Sequence, residues 1–175
     1  INALDYDDTG KAGHPGSSII AAALALAEKK HLDGQTFITA CVAGYEAATR
    51  VARAIEPTWE RYRQIHGIGT AHTFGSVAAC GKLLNLELEP LLNALGVAGA
   101  SAPVAHAGKF GWADKSIHFV KDNVAWPAEA GLRAALLAAM GYEGSESILD
   151  GDRGFWVMAG SDRCDFDVLT DFSRF

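Results

Sequence analysis

The chain has 175 residues, 49% hydrophobic and 21% charged, a composition typical of a single folded domain with a sizeable core. Its formal net charge of −6 disfavours nucleic acid as a partner, because that function needs a basic surface. No apolar run approaches the roughly 20 residues of a membrane span. No signal peptide is visible at the start, so we expect a cytoplasmic protein that does not insert into membranes. Cys41, Cys80 and Cys164 are widely spaced, which favours reduced thiols over a disulfide framework.

The first half of the chain predicts three helices. Residues 16–31 are apolar at nearly every position from 19 to 27, which indicates a helix buried on most sides. Residues 35–55 have a clear amphipathic period and end before Pro57. The predicted buried stripe is Phe37, Cys41, Tyr45, Ala48, Ala52 and Ile55, with Arg50 on the opposite face. A loop is expected over residues 58–70, and a short helix rich in small residues over 73–84.

The second half predicts two further long helices. The first covers residues 87–102, with Leu88, Leu91, Leu92, Leu95 and Ala98 on its apolar stripe. The second covers 127–140 and is expected to bury Leu132, Leu136, Ala139 and Met140. Between them, residues 104–123 show no period and form a long loop of the kind that is usually functional. The last residues are predicted to be irregular, with one short helix near 166–172.

These elements predict an all-α architecture. No segment alternates apolar and polar residues as a strand does, so we expect an Ala-rich bundle of about five helices forming one domain over residues 1–175. The chain starts almost at once with a charged loop and ends on residues apolar enough to pack on something else. Both features lead us to expect a piece of a longer protein.

The charged loop over residues 5–16 is the first candidate site, because clustered ionisable groups on loops often carry chemistry. An acidic loop that only caps the following helix is the alternative. Asp5, Asp7 and Thr9 also fit the DxDxT pattern of haloacid-dehalogenase-type phosphatases, but that loop must follow a buried strand, and only four residues precede it. A divalent metal held by Asp5, Asp7, His14 and His66 is disfavoured, since no helical pair of metal-binding histidines supports it.

Two loop histidines stand out as candidates for proton transfer. His14 and His66 each precede proline or glycine beside a helix of small residues, and imidazole is the side chain that best exchanges protons near neutral pH. A loop lysine such as Lys121 could bind an anionic substrate or stabilise a developing enolate. The remaining histidines are interpreted as surface or locally bonded: His31, His72, His106 and His118.

An ordered set of motifs along nearly the whole chain resembles the MmgE/PrpD family. The motifs are Ala3-Leu4-Asp5-Tyr6-Asp7-Asp8-Thr9, His14-Pro15-Gly16, Ala43-Gly44-Tyr45-Glu46, His66-Gly67-Ile68-Gly69-Thr70, Phe74-Gly75-Ser76-Val77-Ala78-Ala79, Asn93-Ala94-Leu95-Gly96-Val97-Ala98 and Gly131-Leu132-Arg133-Ala134-Ala135-Leu136. Each motif alone is weak, whereas the set in this order is specific.

The resemblance implies a cofactor-independent and metal-free enzyme that acts on small di- or tricarboxylates and pairs as a homodimer. It implies a helical domain, and the family's smaller α/β lid domain has no counterpart in this sequence. Carried over by position, the catalytic residues would be Asp5, His14, His66 and Lys121, and Thr9 would bind the substrate. Lys115 competes with Lys121 for the lysine position, and Lys121 fits the spacing better.

The function expected from the resemblance is that of a lyase, similar to 2-methylcitrate dehydratase, which eliminates water through an enolate-type intermediate. Decarboxylation of cis-aconitate and epimerisation share such an intermediate and stay open as alternatives. A different possibility is a non-catalytic helical fragment that serves in dimerisation. Tight alanine and glycine helix faces would suit that role.

Overall fold

The computed structural model describes residues 8–65, 70–104 and 124–173, and within these ranges the fold is all-α, as predicted. The helices are α1 Gly16–Lys30, α2 Gly34–Ala54, α3 Trp59–Ile65, α4 His72–Leu83, α5 Leu88–Ser101, α6 Ala125–Ala139, α7 Phe155–Met158 and α8 Phe166–Thr170. The described part contains no strand, only one antiparallel bridge between Gly10 and Gly13. No described helix combines the length and the apolar character needed to cross a membrane.

The long helices begin and end close to the predicted residues because their ends carry local signals. α1 ends where His31 adopts a left-handed conformation (φ 53°) and its backbone N–H donates to the carbonyl oxygens of Ala27 and Glu28. α2 begins after Asp33, whose carboxylate accepts from the backbone N–H of Thr36 at 2.9 Å. Hydrogen bonds to Thr36 lower the pKa of Asp33, so this cap is ionised at neutral pH.

Helix α4 lies at the centre of the fold and packs against α1, α2, α5 and α6. The neighbouring helices can approach α4 closely because small residues meet where they cross it. A Cβ atom on Gly131 of α6 would lie 2.7 Å from the carbonyl oxygen of Thr73 on α4, so the two backbones are nearly in contact there. Alanine dominates the buried core around α4, and the prediction of an Ala-rich, tightly packed bundle is confirmed.

The predicted buried faces were partly wrong. On α6, Leu136 is 39% exposed and Ala139 is also exposed, while Ala134, Ala135 and Ala138 are buried, and Met140 directly after the helix is 75% exposed. On α5, Leu88 is 73% exposed. Both errors have one cause: helices that approach closely bury their smallest side chains, and the larger ones remain at the rim of the contact.

Helix α2 shows the same effect by turning a different row inward. The row Ala40, Gly44, Ala48 and Val51 is buried, and most of the predicted stripe is only half-buried. Arg50, predicted on the outer face, is 5% exposed. It is covered because the C-terminal residues fold back on α2 and bond to its guanidinium group.

Two short helices were not predicted. Residues 58–70 were expected to form a loop, but 59–65 form α3, whose start is held by the Thr58 hydroxyl accepting from the Arg61 N–H at 3.4 Å. Helix α7 places Phe155 edge-on against Phe74 of α4, with ring centroids 4.8 Å apart. Because this short helix is held by the packing of a single aromatic ring, the sequence shows no periodic pattern that would predict it. The predicted short helix near 166–172 is confirmed as α8.

Candidate functional site

The loop before α1 holds His14 in one orientation. Gly10 and Gly13 exchange two backbone hydrogen bonds of 2.9 Å, and Gly13 has φ 75°, a conformation that favours glycine. The His14 Nδ1 lies 3.1 Å from the Asp8 carbonyl oxygen. Since a carbonyl oxygen only accepts, Nδ1 carries the proton, and the neutral imidazole therefore has its lone pair on Nε2. This is the tautomer that a proton-accepting Nε2 requires.

Asp8 also fixes the start of α1. Its Oδ1 accepts from the backbone N–H of Gly16 at 3.2 Å, and the Ser17 hydroxyl donates to the His14 carbonyl oxygen at 2.6 Å. A Cβ atom on Gly16 would collide with the Asp8 carboxylate and the Tyr45 hydroxyl. Glycine at position 16 therefore leaves room for the Asp8 carboxylate and the Tyr45 hydroxyl next to the start of α1.

A cavity of about 670 Å³ adjoins this loop. Its lining includes Gly10, Lys11, Glu56, Trp59, Thr70 and Arg163. The volume lies within the range usual for small-molecule sites. Thr70 and Ile65, which also lines the cavity, flank the segment that contains His66 in the sequence. His14 and Thr9 are not part of the lining.

Two cations and one carboxylate meet at the edge of the cavity. The Lys11 Nζ lies 2.9 Å from the Glu56 Oε1, and the Arg163 Nε donates to the Glu56 carbonyl oxygen at 2.7 Å. Lys11 and Arg163 are the cationic side chains that an anion entering here would meet. The sequence patterns did not single out Arg163, because nothing local shows that residue 163 returns to the end of α2.

Tyr62 also lines this cavity. Burial, and to a smaller extent the negative charge of Glu56, raises the pKa of its phenol, so the hydroxyl is protonated at neutral pH. Its ring stacks on Trp59 with centroids 5.5 Å apart. Both aromatic side chains come from α3, which lies in the segment for which the sequence predicts a loop.

The predicted site residues are only partly covered by the structure. His14 is half-buried and oriented as described, and Thr9 is exposed in the same loop. Asp5, His66 and Lys121 lie outside the described residues, as does Lys115. Their convergence on His14 stays a prediction. Among the residues described, no group of three or more His, Cys, Asp or Glu side chains is arranged to hold a metal ion.

Comparisons with known proteins agree with the ordered motifs. The family described as the MmgE/PrpD N-terminal domain matches residues 1–166. The human cis-aconitate decarboxylase is 30% identical over 162 residues, covering 89% of this chain and 32% of that protein. The mouse enzyme of the same name is 29% identical with the same coverage. The cis-aconitate decarboxylase-like protein oryM of Aspergillus oryzae is 29% identical over 163 residues, covering 88% of this chain and 33% of its own length.

The chain therefore spans about a third of the length of these relatives. The family match extends over most of the chain and coincides with the all-α fold described above. This chain belongs to the MmgE/PrpD family and corresponds to its N-terminal domain.

Proposed function

We propose that the protein is a cofactor-independent lyase that acts on a small di- or tricarboxylate through an enolate-type intermediate. Membership of the MmgE/PrpD family and the similarity to cis-aconitate decarboxylases support this proposal. The structural observation that carries it is the hydrogen bond from the His14 Nδ1 to the Asp8 carbonyl oxygen, which leaves Nε2 as the proton-accepting atom.

The chemistry explains why such a histidine is needed. Loss of a proton or of CO₂ next to a carboxylate leaves an electron pair that spreads onto the carboxylate as an enolate. In decarboxylation the carbon–carbon bond breaks and the substrate carbon then takes up a proton. In dehydration a base takes the α-proton and an acid protonates the departing hydroxide. Each route needs a group that exchanges protons near the working pH.

The other predicted residues have complementary roles in this proposal. His66 is the second proton-transfer residue, and Asp5 orients a histidine or bonds the substrate. Lys121, or Lys115 in its place, binds a carboxylate and stabilises the negative charge of the enolate. The Thr9 hydroxyl binds the substrate. Lys11 and Arg163, which line the cavity, are two cations that would favour an anionic substrate in this region.

Decarboxylation of cis-aconitate and dehydration of 2-methylcitrate are the two reactions we consider first. The relatives named as cis-aconitate decarboxylases support the former, while the resemblance of the motifs alone suggested the latter. The packing of the helices argues against the non-catalytic alternative. The alanine and glycine faces that suited it pack inside the domain, between α4 and its neighbours.

Incubation of the full-length protein with cis-aconitate, 2-methylcitrate and related acids, followed by NMR, separates these reactions. Decarboxylation releases CO₂, dehydration yields an alkene with the same carbon count, and epimerisation keeps the formula.

His66→Ala should lower kcat by about 10²–10⁴-fold, the usual contribution of an acid–base residue. No reaction with any of these acids by the folded full-length protein would contradict the proposal.

We also propose that the protein assembles as a homodimer in the cytoplasm. An exposed apolar face on α1 and α2 supports the assembly, since a second copy would remove it from water. The face consists of Ile20, Leu24, Ile38 and Val42, of which Val42 is 63% exposed. Light scattering of the full-length protein should give twice the monomer mass. Val42→Asp should lower that mass, and an unchanged mass would exclude this face as the interface.

A further inference from the structure

A buried histidine links the segments that carry the predicted site residues. His72 is the first residue of α4 and is completely buried. Its Nε2 lies 2.5 Å from the carbonyl oxygen of Ala12, and its Nδ1 lies 3.0 Å from the hydroxyl oxygen of Ser18. Because the Ala12 carbonyl oxygen can only accept, Nε2 donates to it.

Ser18 extends this contact to a third segment. The hydroxyl oxygen of Ser18, whose side chain is also fully buried, lies 2.7 Å from the carbonyl oxygen of Val124. Because Ser18 has a single hydroxyl hydrogen and the His72 Nδ1 is an acceptor when Nε2 donates to Ala12, the hydroxyl donates either to the Val124 carbonyl oxygen or to Nδ1, and both lie within hydrogen-bond distance of it. The chain of contacts thus runs from Ala12 through His72 and Ser18 to Val124.

The four residues belong to segments that the sequence associates with the site. Ala12 lies two residues before His14, in the same bridged loop. Val124 directly precedes α6 and comes three residues after Lys121 in the sequence. His72 itself follows His66 by six residues.

The polar character of His72 is unusual for its surroundings. Most of the buried core around α4 consists of alanine and other apolar side chains, where a polar ring is costly unless it is hydrogen-bonded. An apolar residue at position 72 would avoid burying a polar ring but would leave the buried Ala12 carbonyl oxygen without this donor, which also costs free energy. Histidine is therefore distinguished here by its hydrogen bond rather than by its size, because the ring N–H holds the Ala12 carbonyl group in place.

We propose that His72, together with Ser18, is a positioning residue pair for the active site. By holding the Ala12 carbonyl oxygen, His72 fixes the 8–14 loop and with it the orientation of the His14 imidazole. By holding the Val124 carbonyl oxygen, Ser18 fixes the start of α6 relative to the same loop. The effect on turnover rests on the proposed function, whereas the ordering of the loop does not.

Hydrogen exchange of the full-length protein tests the loop directly. The backbone N–H groups of Gly10 and Gly13 are suitable reporters, because each donates to the other's carbonyl oxygen. His72→Phe keeps a ring of similar size but removes the hydrogen bond to the Ala12 carbonyl oxygen and the Nδ1 contact with Ser18, and we expect exchange at these two amides to rise at least tenfold. His72→Gln, which retains a donor, should restore part of the protection.

A matched control separates this effect from general destabilisation. Ser76 lies on the same helix and is completely buried, and its hydroxyl has no hydrogen-bond partner among the described residues. Ser76→Ala should leave exchange at Gly10 and Gly13 unchanged. Ser18→Ala should raise it, and this smaller change remains informative if His72→Phe does not fold.

Kinetics with whichever acid the protein consumes give the second readout. His72→Phe should lower kcat at least tenfold and change KM less than threefold, and His72→Gln should recover part of kcat. A folded His72→Phe or Ser18→Ala protein whose Gly10 and Gly13 amides exchange as in the wild type would overturn the proposal. If no acid is consumed, the proposed function fails, and the exchange result still decides the positioning role.

Discussion

Gly44 of α2 and Gly75 of α4 face each other where the two helices cross closely in the core. A Cβ atom on either residue would lie 2.7 Å from the carbonyl oxygen of the other. The contact is made with backbone atoms, so no side-chain rotation can relieve it. This pair sets the distance between α2 and α4, and it therefore supports the position of α1 and the loop before it.

Alanine at either glycine should destabilise the fold. The added methyl group must push the helices apart, and overpacking of this kind costs about 1–3 kcal/mol of the free energy of unfolding. Denaturant unfolding of Gly44→Ala and Gly75→Ala measures the loss. Gly34→Ala is the control, because position 34 is at the exposed start of α2 with no atom within 4 Å of the new Cβ. Equal stability of all three variants would show that a methyl group fits between α2 and α4 without strain.

Arg50 attaches the C-terminal residues to α2. Its Nη1 donates to the carbonyl oxygens of Val168 and Asp171, both at 3.0 Å, and its Nε donates to the Glu46 Oε1 at 2.6 Å. The guanidinium group also lies 4.2 Å from the centre of the Phe172 ring. These contacts use the fork geometry that lysine lacks.

Replacing Arg50 should release α8. We expect Arg50→Met to lower the free energy of unfolding by about 2–4 kcal/mol, because buried charge-assisted hydrogen bonds are lost. Arg50→Lys should recover only part of this. The Asp171 amide, bonded to Asp167 in α8, should exchange faster.

Arg133→Met is the matched control for this prediction. Arg133 makes an exposed i,i+4 ion pair of 3.1 Å with Glu129, and its loss should cost less than about 0.5 kcal/mol. Equal effects of Arg133→Met and Arg50→Met would contradict the anchoring role of Arg50.

Asp162 connects the C-terminal part to the start of α3 and makes the fold sensitive to acid. Its carboxylate accepts from the Thr58 hydroxyl at 2.5 Å and from the Thr58 N–H at 2.9 Å. The side-chain and then the backbone hydrogen bond to Thr58 lower the pKa of Asp162. A lowered folded-state pKa means that the stabilisation is present above the unfolded-state pKa and is lost as pH falls through the folded one.

The consequence is a pH-dependent effect of Asp162→Asn. At neutral pH the variant should be less stable than the wild type, and the difference should shrink as pH falls below about 4. Urea unfolding of both proteins at several pH values measures this difference in the free energy of unfolding. Asp152→Asn, at an exposed position nearby, should show no such trend. A difference between the Asp162→Asn variant and the wild type that grows towards acid pH would reverse the assigned sign.

Cys80 should be chemically inert in the folded protein. Burial, with a smaller contribution from Cys41, raises the pKa of the Cys80 thiol to about 12, so the reactive thiolate is scarce at neutral pH. Alkylation at pH 8 followed by mass spectrometry should label Cys164, which is half-buried, well before Cys80. Labelling of both at the same rate with the fold intact would show that the core around α4 opens readily.

The sequence was sufficient for the fold class and for the long helices, because their signals are local. The apolar run of α1, the Asp33 cap and the glycine after α6 at position 141 (φ 89°) act within a few residues of where they occur. The buried faces were harder to predict. Hydrophobicity favours Leu136 and Met140 as core residues, but the distance between helices favours alanine.

The candidate site was predictable only for residues whose type and local sequence context already indicate a role. His14 was singled out for its residue type and its loop, and the structure adds the Asp8 carbonyl contact that selects its tautomer. The roles of His72 and Arg163 depend on partners 60 and 107 residues away in sequence, Ala12 and Glu56. No periodicity or short motif carries that information.

The most direct test of the account is the kcat of His14→Asn in the full-length protein with whichever of the tested acids that protein consumes. We predict a fall of about 10²–10⁴-fold, since the proton-accepting nitrogen is removed. His31→Asn is the control, because asparagine tolerates the left-handed conformation at position 31 and that residue lies at the exposed end of α1. Turnover by a folded His14→Asn protein equal to that of the His31→Asn control would contradict the central claim.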